Sequence, residues 1–223
     1  MHMALYVDSA FVEDVARLAA AYPIAGVTTN PTILLTAFER GQRLRDVEVL
    51  RELLQVCAGP VFMQPTAGSR DELRKAALTY VDVNPQRVVL KLPATPLGLQ
   101  AAHDLAGDGA LVAFTAVASV PQVYLGTMMG AQWVIPYFCR LRRAGVDVNQ
   151  EITDMARLLD GQQSSTRILA ASLKTPRDII EATLAGAHDV TAPPDVIAAM
   201  ATSAMTEAAV TQFASDWERL RQL

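Results

Sequence analysis

Short apolar segments alternate along this chain with longer segments in which apolar residues recur every three or four positions. The short segments have the length and composition of buried strands, and the longer ones have the spacing of helices that cover a sheet with one face. Eight strands are predicted, at residues 4–9, 25–30, 59–64, 87–93, 110–117, 132–138, 166–172 and 188–194. Seven helices are predicted between them, at residues 10–22, 46–58, 69–81, 98–108, 120–131, 149–161 and 175–187.

Strands that alternate with helices and are apolar on both faces are typical of a parallel sheet. Eight such units in 223 residues predict an α/β protein with a closed (β/α)₈ barrel, the TIM-barrel architecture. The alternative is an open doubly wound sheet, but the first strand ends in "VDSAF" without a glycine-rich phosphate turn. No linker-like stretch divides the chain, so we expect one domain over residues 1–223, with Met1 and His2 a remnant of cloning.

An additional helix is predicted after the eighth strand, within residues 203–223. Apolar side chains recur along it at helical spacing, at Met205, Ala209, Phe213, Trp217 and Leu220. A stripe of this kind requires a surface that covers it. The sequence leaves two interpretations open: the helix packs on its own barrel, or it crosses to a neighbouring subunit.

Composition narrows the class of protein. The chain is 51% hydrophobic and 19% charged, which predicts a folded globular protein. Its net charge of −4 argues against a nucleic-acid binder, which needs a basic face. No apolar run is long enough to span a bilayer, and the start of the chain does not resemble a signal peptide. With only two cysteines, Cys57 and Cys139, we expect no disulfide framework and a cytoplasmic location.

In a barrel of this kind, the active site lies where the strands end and the following loops begin. Several predicted strands end in polar residues, which makes these residues the candidates for catalysis and substrate binding. They are Asp8, Thr28, Thr29, Asn30, Gln64, Lys91, Thr115, Tyr137, Arg140 and Ser172. No pair of cysteine or histidine residues has the spacing of a zinc site, so no metal is expected.

Lys91 is the most informative candidate, because it interrupts the apolar strand of "RVVLKLPATPLG". A buried ammonium group loses its hydration, which lowers its pKa, and a neutral amine can attack a carbonyl carbon to form a Schiff base. Two other interpretations stay open: a structural lysine paired with Asp8, or a strand-end lysine that reaches solvent. Lys174 is a weaker nucleophile candidate, and Lys75 is expected on a solvated helix face.

Several motifs together resemble the small transaldolase family, and most closely its fructose-6-phosphate aldolase branch. They are "LYVDSA", "AGVTTNPTIL", "VVLKLPATPLGLQA", "IPYFCRL" and "ILAASLKTPRDIIEATLAGAHDVTAPPDV". The resemblance extends over essentially the whole chain. It implies a TIM barrel and a class I aldolase, in which the lysine on strand 4, here Lys91, forms the Schiff base.

The resemblance also implies roles for other strand-end residues. Asp8 and Asn30 match residues that contact the hydroxyl groups of the substrate. Arg140 and Ser172 match residues that bind its phosphate, and an arginine fork suits a phosphate group well. Thr28 and Thr29, within the same motif as Asn30, are expected to contribute to substrate binding.

Two positions favour an aldolase over a transaldolase. Transaldolases resemble one another in a glutamate on strand 3 and a phenylalanine on strand 6, whereas this chain has Gln64 and Tyr137. We therefore expect Tyr137 to move protons through a water that Gln64 and Thr115 orient. The expected reaction cleaves or forms fructose 6-phosphate, joining dihydroxyacetone or a similar ketone to glyceraldehyde 3-phosphate or a similar aldehyde, without a metal or cofactor.

The alternatives are a transaldolase, which transfers the dihydroxyacetone unit between sugar phosphates, and a non-catalytic sugar-phosphate-binding barrel. The resemblance further implies a homo-oligomer, a pentamer or decamer, in which the C-terminal helix packs over a neighbour. Several residues depart from the family pattern, with Arg142, Arg143 and Ile135 among them. Arg142 and Arg143 replace an acidic loop and are expected to alter acceptor preference or phosphate affinity, and Ile135 is expected to narrow the acceptor pocket.

Overall fold

Eight parallel strands form one closed barrel, in the order of the chain, in the computed structural model, which describes residues 3–223. The expected cloning remnant, Met1 and His2, lies outside the described residues. The strands are β1 (Ala4–Asp8), β2 (Ile24–Thr28), β3 (Val61–Met63), β4 (Val88–Pro93), β5 (Leu111–Val117), β6 (Trp133–Pro136), β7 (Arg167–Ala170) and β8 (Asp189–Ala192). This closure confirms the predicted barrel and excludes the open sheet. Because all eight strands share one sheet, we propose that the chain forms one domain.

Eleven helices are found among the described residues, and they include all seven that the sequence predicts. They are α1 (Val12–Ala21), α2 (Pro31–Glu39), α3 (Asp46–Val56), α4 (Arg70–Val81), α5 (Pro96–Gly107), α6 (Val120–Met128), α7 (Phe138–Arg143), α8 (Val148–Gly161), α9 (Pro176–Leu184), α10 (Pro194–Ala199) and α11 (Ala204–Leu220). The helices α2, α7 and α10 were not predicted. The strand predicted over residues 132–138 was too long, because β6 ends at Pro136 and Phe138 begins α7.

Side chains of the barrel strands divide between an inner and an outer face. The outer side chains pack against the helices, whereas the inner apolar cluster fills the barrel itself with Tyr6, Phe62, Val89, Ala113, Ile135, Leu169 and Ala171. Near the amino-terminal ends of the strands, Arg167 donates two 2.6 Å hydrogen bonds to the buried Asp189 carboxylate. This buried ion pair occupies the amino-terminal end of the barrel, and a ligand site is expected at the carboxyl-terminal end.

His188, which precedes β8, is expected to make the stability of the barrel sensitive to pH. Its Nδ1 accepts a 2.9 Å hydrogen bond from the backbone N–H of Ile168, and burial together with the charge of Arg167 lowers its pKa. At this position the unfolded chain binds a proton more readily than the folded chain does, so the free energy of unfolding should decrease as the pH falls below about 6.5. The decrease is at most about 1.4 kcal/mol per pH unit, and it ends when the pH reaches the lowered pKa of the folded state. Urea denaturation at pH 5.5 and 7.5 measures this decrease.

His188→Gln preserves an acceptor for the Ile168 N–H and should reduce this pH dependence. The matched control is His103→Gln, which changes an exposed histidine on α5 and should leave the dependence as in the wild type. An equal pH dependence in the wild type and in His188→Gln would contradict the role of His188.

The C-terminal helix α11 does not pack on its own barrel. None of its residues is buried, and its apolar residues are widely exposed, Phe213 by 66% and Trp217 by 60%. The interpretation in which this helix covers its own barrel is therefore wrong. Within residues 3–223, no helix is both long and apolar enough to cross a membrane.

Candidate functional site

A pocket of about 380 Å³ opens at the carboxyl-terminal end of the barrel. Seven of the ten predicted site residues line it, namely Asp8, Asn30, Gln64, Lys91, Tyr137, Arg140 and Ser172. The other lining residues are Pro31, Thr32, Ile33, Ala171 and Lys174. The predicted residues Thr28, Thr29 and Thr115 are fully buried behind this lining.

Lys91 projects from β4 into the barrel, two positions after the inward-facing Val89, as the alternation of side chains along a strand requires. The side chain is 2% exposed, and Nζ donates a 2.8 Å hydrogen bond to the carbonyl oxygen of Thr29. Burial lowers the pKa of the Lys91 ammonium group, and the charge of Asp8 offsets only part of this effect. The interpretation of Lys91 as a strand-end lysine that reaches solvent is therefore wrong.

A chain of hydroxyl groups orients Asp8 beside the lysine. Thr28 donates a 2.6 Å hydrogen bond to Oδ1 of Asp8, and its hydroxyl lies 2.6 Å from that of Thr191 on β8. Because the single hydroxyl hydrogen of Thr28 goes to Asp8, the Thr191 hydroxyl is the donor in the second bond. Burial raises the pKa of Asp8, whereas Lys91 and Thr28 act in the opposite direction. Thr28 thus contacts Asp8 instead of the pocket.

Thr29 and Asn30 shape the wall of the pocket through the backbone. The Thr29 hydroxyl donates a 2.7 Å hydrogen bond to the carbonyl oxygen of Phe62, so its own carbonyl is held in place as the acceptor for Lys91. Asn30 caps α2, because its Oδ1 accepts a 3.0 Å hydrogen bond from the N–H of Ile33. This cap places the first turn of α2 against the pocket.

Tyr137 and Gln64 lie on the pocket wall, and Thr115 supports the tyrosine from behind. The Thr115 hydroxyl lies 2.9 Å from the Tyr137 phenol oxygen, and either group can donate in this hydrogen bond. This hydrogen bond holds the phenol in place, and Tyr137 lines the same pocket as Lys91. A phenol and an amide at such positions can orient a water molecule or move a proton.

Cationic and hydroxyl groups line the pocket beyond the neighbouring strands β6 and β7, a region called here the cationic end. Arg140 comes from α7, with its guanidinium carbon 4.6 Å from the centre of the Tyr137 ring. Ser172 and Lys174 lie on the loop between β7 and α9 and also line the pocket. Ser172 has a φ of 62°, a left-handed conformation that costs energy in a non-glycine residue and is concentrated at functional sites. The arrangement suits an anion such as a phosphate group.

Sequence reasoning missed two polar residues of this region. Lys174 was considered only as a weak nucleophile candidate, and its position two residues beyond the predicted strand at 166–172 hid its place on the pocket wall. Thr191 belongs to the apolar run of β8, where alternation with the inward-facing Asp189 was the only signal. Among residues 3–223, no group of three histidine, cysteine or acidic residues has the geometry of a metal site.

Three residues near the pocket do not line it. Ile135 is fully buried in the inner apolar cluster and does not line the pocket, so its expected narrowing of the acceptor pocket stays a prediction that requires an indirect effect. Arg142 points to α9, where it forms ion pairs with Asp178 and Glu181. Cys139 is buried, and burial together with Asp178 raises the pKa of its thiol, which makes it a poor nucleophile.

Comparison with solved structures supports the fold alone. The inosine 5′-monophosphate dehydrogenase of Legionella pneumophila superposes with a TM-score of 0.60 at 15% sequence identity, over 86% of this chain and 58% of that one.

Sequence comparison is more specific. A protein named "Probable transaldolase" from Symbiobacterium thermophilum is 34% identical over 97% of both chains. Another of that name, from Lactiplantibacillus plantarum, is also 34% identical over 97% of both chains. The model of the family described as "Transaldolase/Fructose-6-phosphate aldolase" matches residues 5–223. The chain therefore belongs to the transaldolase/fructose-6-phosphate aldolase family.

Proposed function

We propose that this protein is a class I aldolase that cleaves or forms fructose 6-phosphate, from dihydroxyacetone and glyceraldehyde 3-phosphate, or acts on a similar pair of ketone and aldehyde. The observation that carries the proposal is the burial of the Lys91 amine on the wall of the pocket, with a lowered pKa. An amine that is neutral at working pH can attack a ketone carbon.

The proposed reaction begins with attack of Lys91 Nζ on C2 of the sugar phosphate. Loss of water gives an iminium ion, which withdraws electrons from the C3–C4 bond. That bond breaks as the C4 hydroxyl loses its proton, and the electron pair of the C3–C4 bond passes to C3 to form an enamine. The aldehyde phosphate leaves, C3 of the enamine is protonated, and water hydrolyses the resulting iminium to release dihydroxyacetone and the free amine.

Other residues of the pocket take defined parts in this sequence. Tyr137, held by Thr115, relays the proton that leaves the C4 hydroxyl through a water between Tyr137 and Gln64, and the relay later delivers a proton to C3 of the enamine. Asp8 and Asn30 contact substrate hydroxyl groups from the ends of the adjacent strands β1 and β2. The cationic end, with Arg140, binds the phosphate group.

A transaldolase is the second candidate function, since the relatives described above carry that name. In that reaction the enamine attacks a second aldehyde before hydrolysis. Both functions use the same amine and differ in the fate of the enamine. Assays of free dihydroxyacetone release and of transfer to erythrose 4-phosphate, run with fructose 6-phosphate as donor, distinguish them. Faster release than transfer is the expected result, and transfer without release would replace the aldolase proposal by the transaldolase.

Tyr137→Phe tests the proton relay directly. Without the phenol oxygen, cleavage should fall by roughly 10²-fold, the scale of a lost general acid–base catalyst, and the remaining turnover should shift toward transfer. The matched control is Tyr124→Phe, which removes a phenol oxygen from an exposed residue on α6. An unchanged ratio of release to transfer in Tyr137→Phe would contradict the assignment of Tyr137.

We also propose that the protein is a homo-oligomer, a pentamer or decamer, in which α11 packs on a neighbouring subunit. The exposed apolar residues of α11 support this proposal, because they have no surface to cover them within their own chain. The cytoplasmic location stays a prediction from the sequence.

A further inference from the structure

The anion-binding end of the pocket is assembled from two elements that are distant in the chain. Arg140 belongs to α7, a helix of only six residues, and Ser172 and Lys174 belong to the loop that precedes α9. A six-residue helix has little stability of its own, so tertiary contacts must hold it. The spacing between these groups therefore depends on whatever joins α7 to the loop.

Asp178 makes one such connection, in addition to the 2.9 Å hydrogen bond from the N–H of Phe138 to the carbonyl oxygen of Ala171. Its Oδ2 accepts hydrogen bonds from the backbone N–H groups of Lys174 at 3.0 Å and Thr175 at 2.9 Å, and from the Thr175 hydroxyl at 2.9 Å. Its Oδ1 accepts a 2.8 Å hydrogen bond from Nη1 of Arg142 on α7. The Asp178 side chain is only 7% exposed, so its carboxylate is shielded from competing water, whereas the Arg142 side chain is 43% exposed.

Arg142 is itself fixed from three sides. Its second guanidinium nitrogen donates a 2.5 Å hydrogen bond to Glu181, and its guanidinium carbon lies 4.6 Å from the centre of the Phe138 ring. Burial alone would raise the pKa of Asp178, but hydrogen bonds from Thr175 and its other partners outweigh burial and lower it. The ion pair between Arg142 and Asp178 is consequently intact at neutral pH.

We propose that Asp178, together with Arg142, is a positioning residue that sets the distance between Arg140 and the Ser172–Lys174 segment, and thereby the affinity of the pocket for the phosphate group of its substrate. Neither residue lines the pocket, so the effect passes through the backbone of α7 and of the loop. This inference rests on the proposed function, which assigns the cationic end to a phosphate. Small displacements of such groups are costly, because binding and orientation depend on distances at the scale of 1 Å.

Arg142→Met and Asp178→Asn test the proposal in the full-length protein. Two readouts are needed: the Kd of inorganic phosphate by calorimetry, and kcat and KM for aldol addition to glyceraldehyde 3-phosphate and to unphosphorylated glyceraldehyde. Each variant should raise the phosphate Kd and the KM for the phosphorylated aldehyde about tenfold, with kcat and the KM for glyceraldehyde unchanged. The double variant should lose little more than either single one, because both remove the same connection.

The matched control is Arg70→Met, which breaks the exposed ion pair of Arg70 with Asp104 on the outer helices α4 and α5. It should leave all constants at their wild-type values. Asp178→Asn also weakens the loop before α9, so its melting temperature is measured first. Arg142→Met leaves in place the hydrogen bonds from the backbone N–H groups of Lys174 and Thr175 to Asp178. If Asp178→Asn fails to fold, Arg142→Met alone therefore still tests the proposal.

Unchanged phosphate affinity in folded Arg142→Met, or equal losses with both aldehydes, would overturn the proposal. Arg140→Met distinguishes this failure from a failure of the assigned phosphate site. If Arg140→Met weakens phosphate binding and Arg142→Met does not, only the positioning role is wrong. If the wild type itself does not bind phosphate, the assignment of the cationic end is wrong as well.

Discussion

Replacing Lys91 by methionine is expected to remove catalysis and to leave the fold as stable as the wild type or more stable. Activity should fall by roughly 10⁴-fold or more, the scale of a lost covalent nucleophile. Methionine has nearly the length of lysine and fills the same buried space without an amine. At pH 7 Lys91 is protonated in the unfolded chain, whereas burial disfavours the charged form in the folded chain. This difference lowers the free energy of unfolding of the wild type and is absent from the methionine variant.

Borohydride trapping provides the direct measurement. Incubation with a ketone donor and borohydride should reduce the iminium ion to a stable amine, and mass spectrometry should place the adduct on Lys91. A panel of donors, including dihydroxyacetone and hydroxyacetone, identifies the preferred ketone in the same experiment. Urea denaturation of the wild type and of Lys91→Met checks the predicted gain or equality in stability.

The other two lysines serve as matched controls. Lys75→Met changes an exposed residue on α4 and should leave both trapping and activity unchanged. Lys174→Met removes a lysine from the wall of the same pocket, and the adduct on Lys91 should persist. An adduct on Lys174 would show that Lys174, and not Lys91, is the nucleophile, and would contradict our assignment. The absence of any adduct with every ketone tested would favour the non-catalytic sugar-phosphate-binding barrel.

Sequence periodicity predicted the barrel because each strand is buried on both faces and each covering helix presents one apolar stripe. Lys91 could be placed for the same reason: a charge inside an apolar strand is conspicuous. The helix α2 could not be predicted in this way, because its apolar residues are distributed over faces that the structure leaves exposed, Leu35 by 56% and Phe38 by 44%. The periodic signal of a helix reports burial, and α2 is little buried in the single chain.

Side-chain partners were harder to predict than positions. Thr28 and Thr29 occupy the expected strand end, yet both hydroxyl groups turn away from the pocket, toward Asp8 and the carbonyl oxygen of Phe62. Hydrogen bonds of this kind join residues distant in the chain, and residue types alone do not specify them. The same limit applies to Arg142, whose partner Asp178 lies on a different helix.

Replacing Phe213 and Trp217 on α11 by glutamate is expected to dissociate the protein into smaller species. Val210, Phe213, Trp217 and Leu220 follow one another at spacings of three and four residues, so they lie on one face of the helix, and all are exposed by 58% or more. Large aromatic residues at the centre of an interface commonly contribute 2 kcal/mol or more each, roughly, and a buried carboxylate adds a desolvation cost.

Analytical ultracentrifugation measures the outcome. The wild type should sediment as an assembly of five or ten 24.0 kDa subunits, and the double variant as a monomer or dimer with the circular dichroism of a folded barrel. The matched control is Thr211→Glu with Gln212→Glu, which adds the same two charges to neighbouring exposed positions that do not belong to the apolar face. A monomeric wild type would contradict the proposed oligomer. If the variant with glutamates at Phe213 and Trp217 keeps the wild-type mass, α11 does not form the subunit contact, because two charges in the middle of such an interface cannot be accommodated.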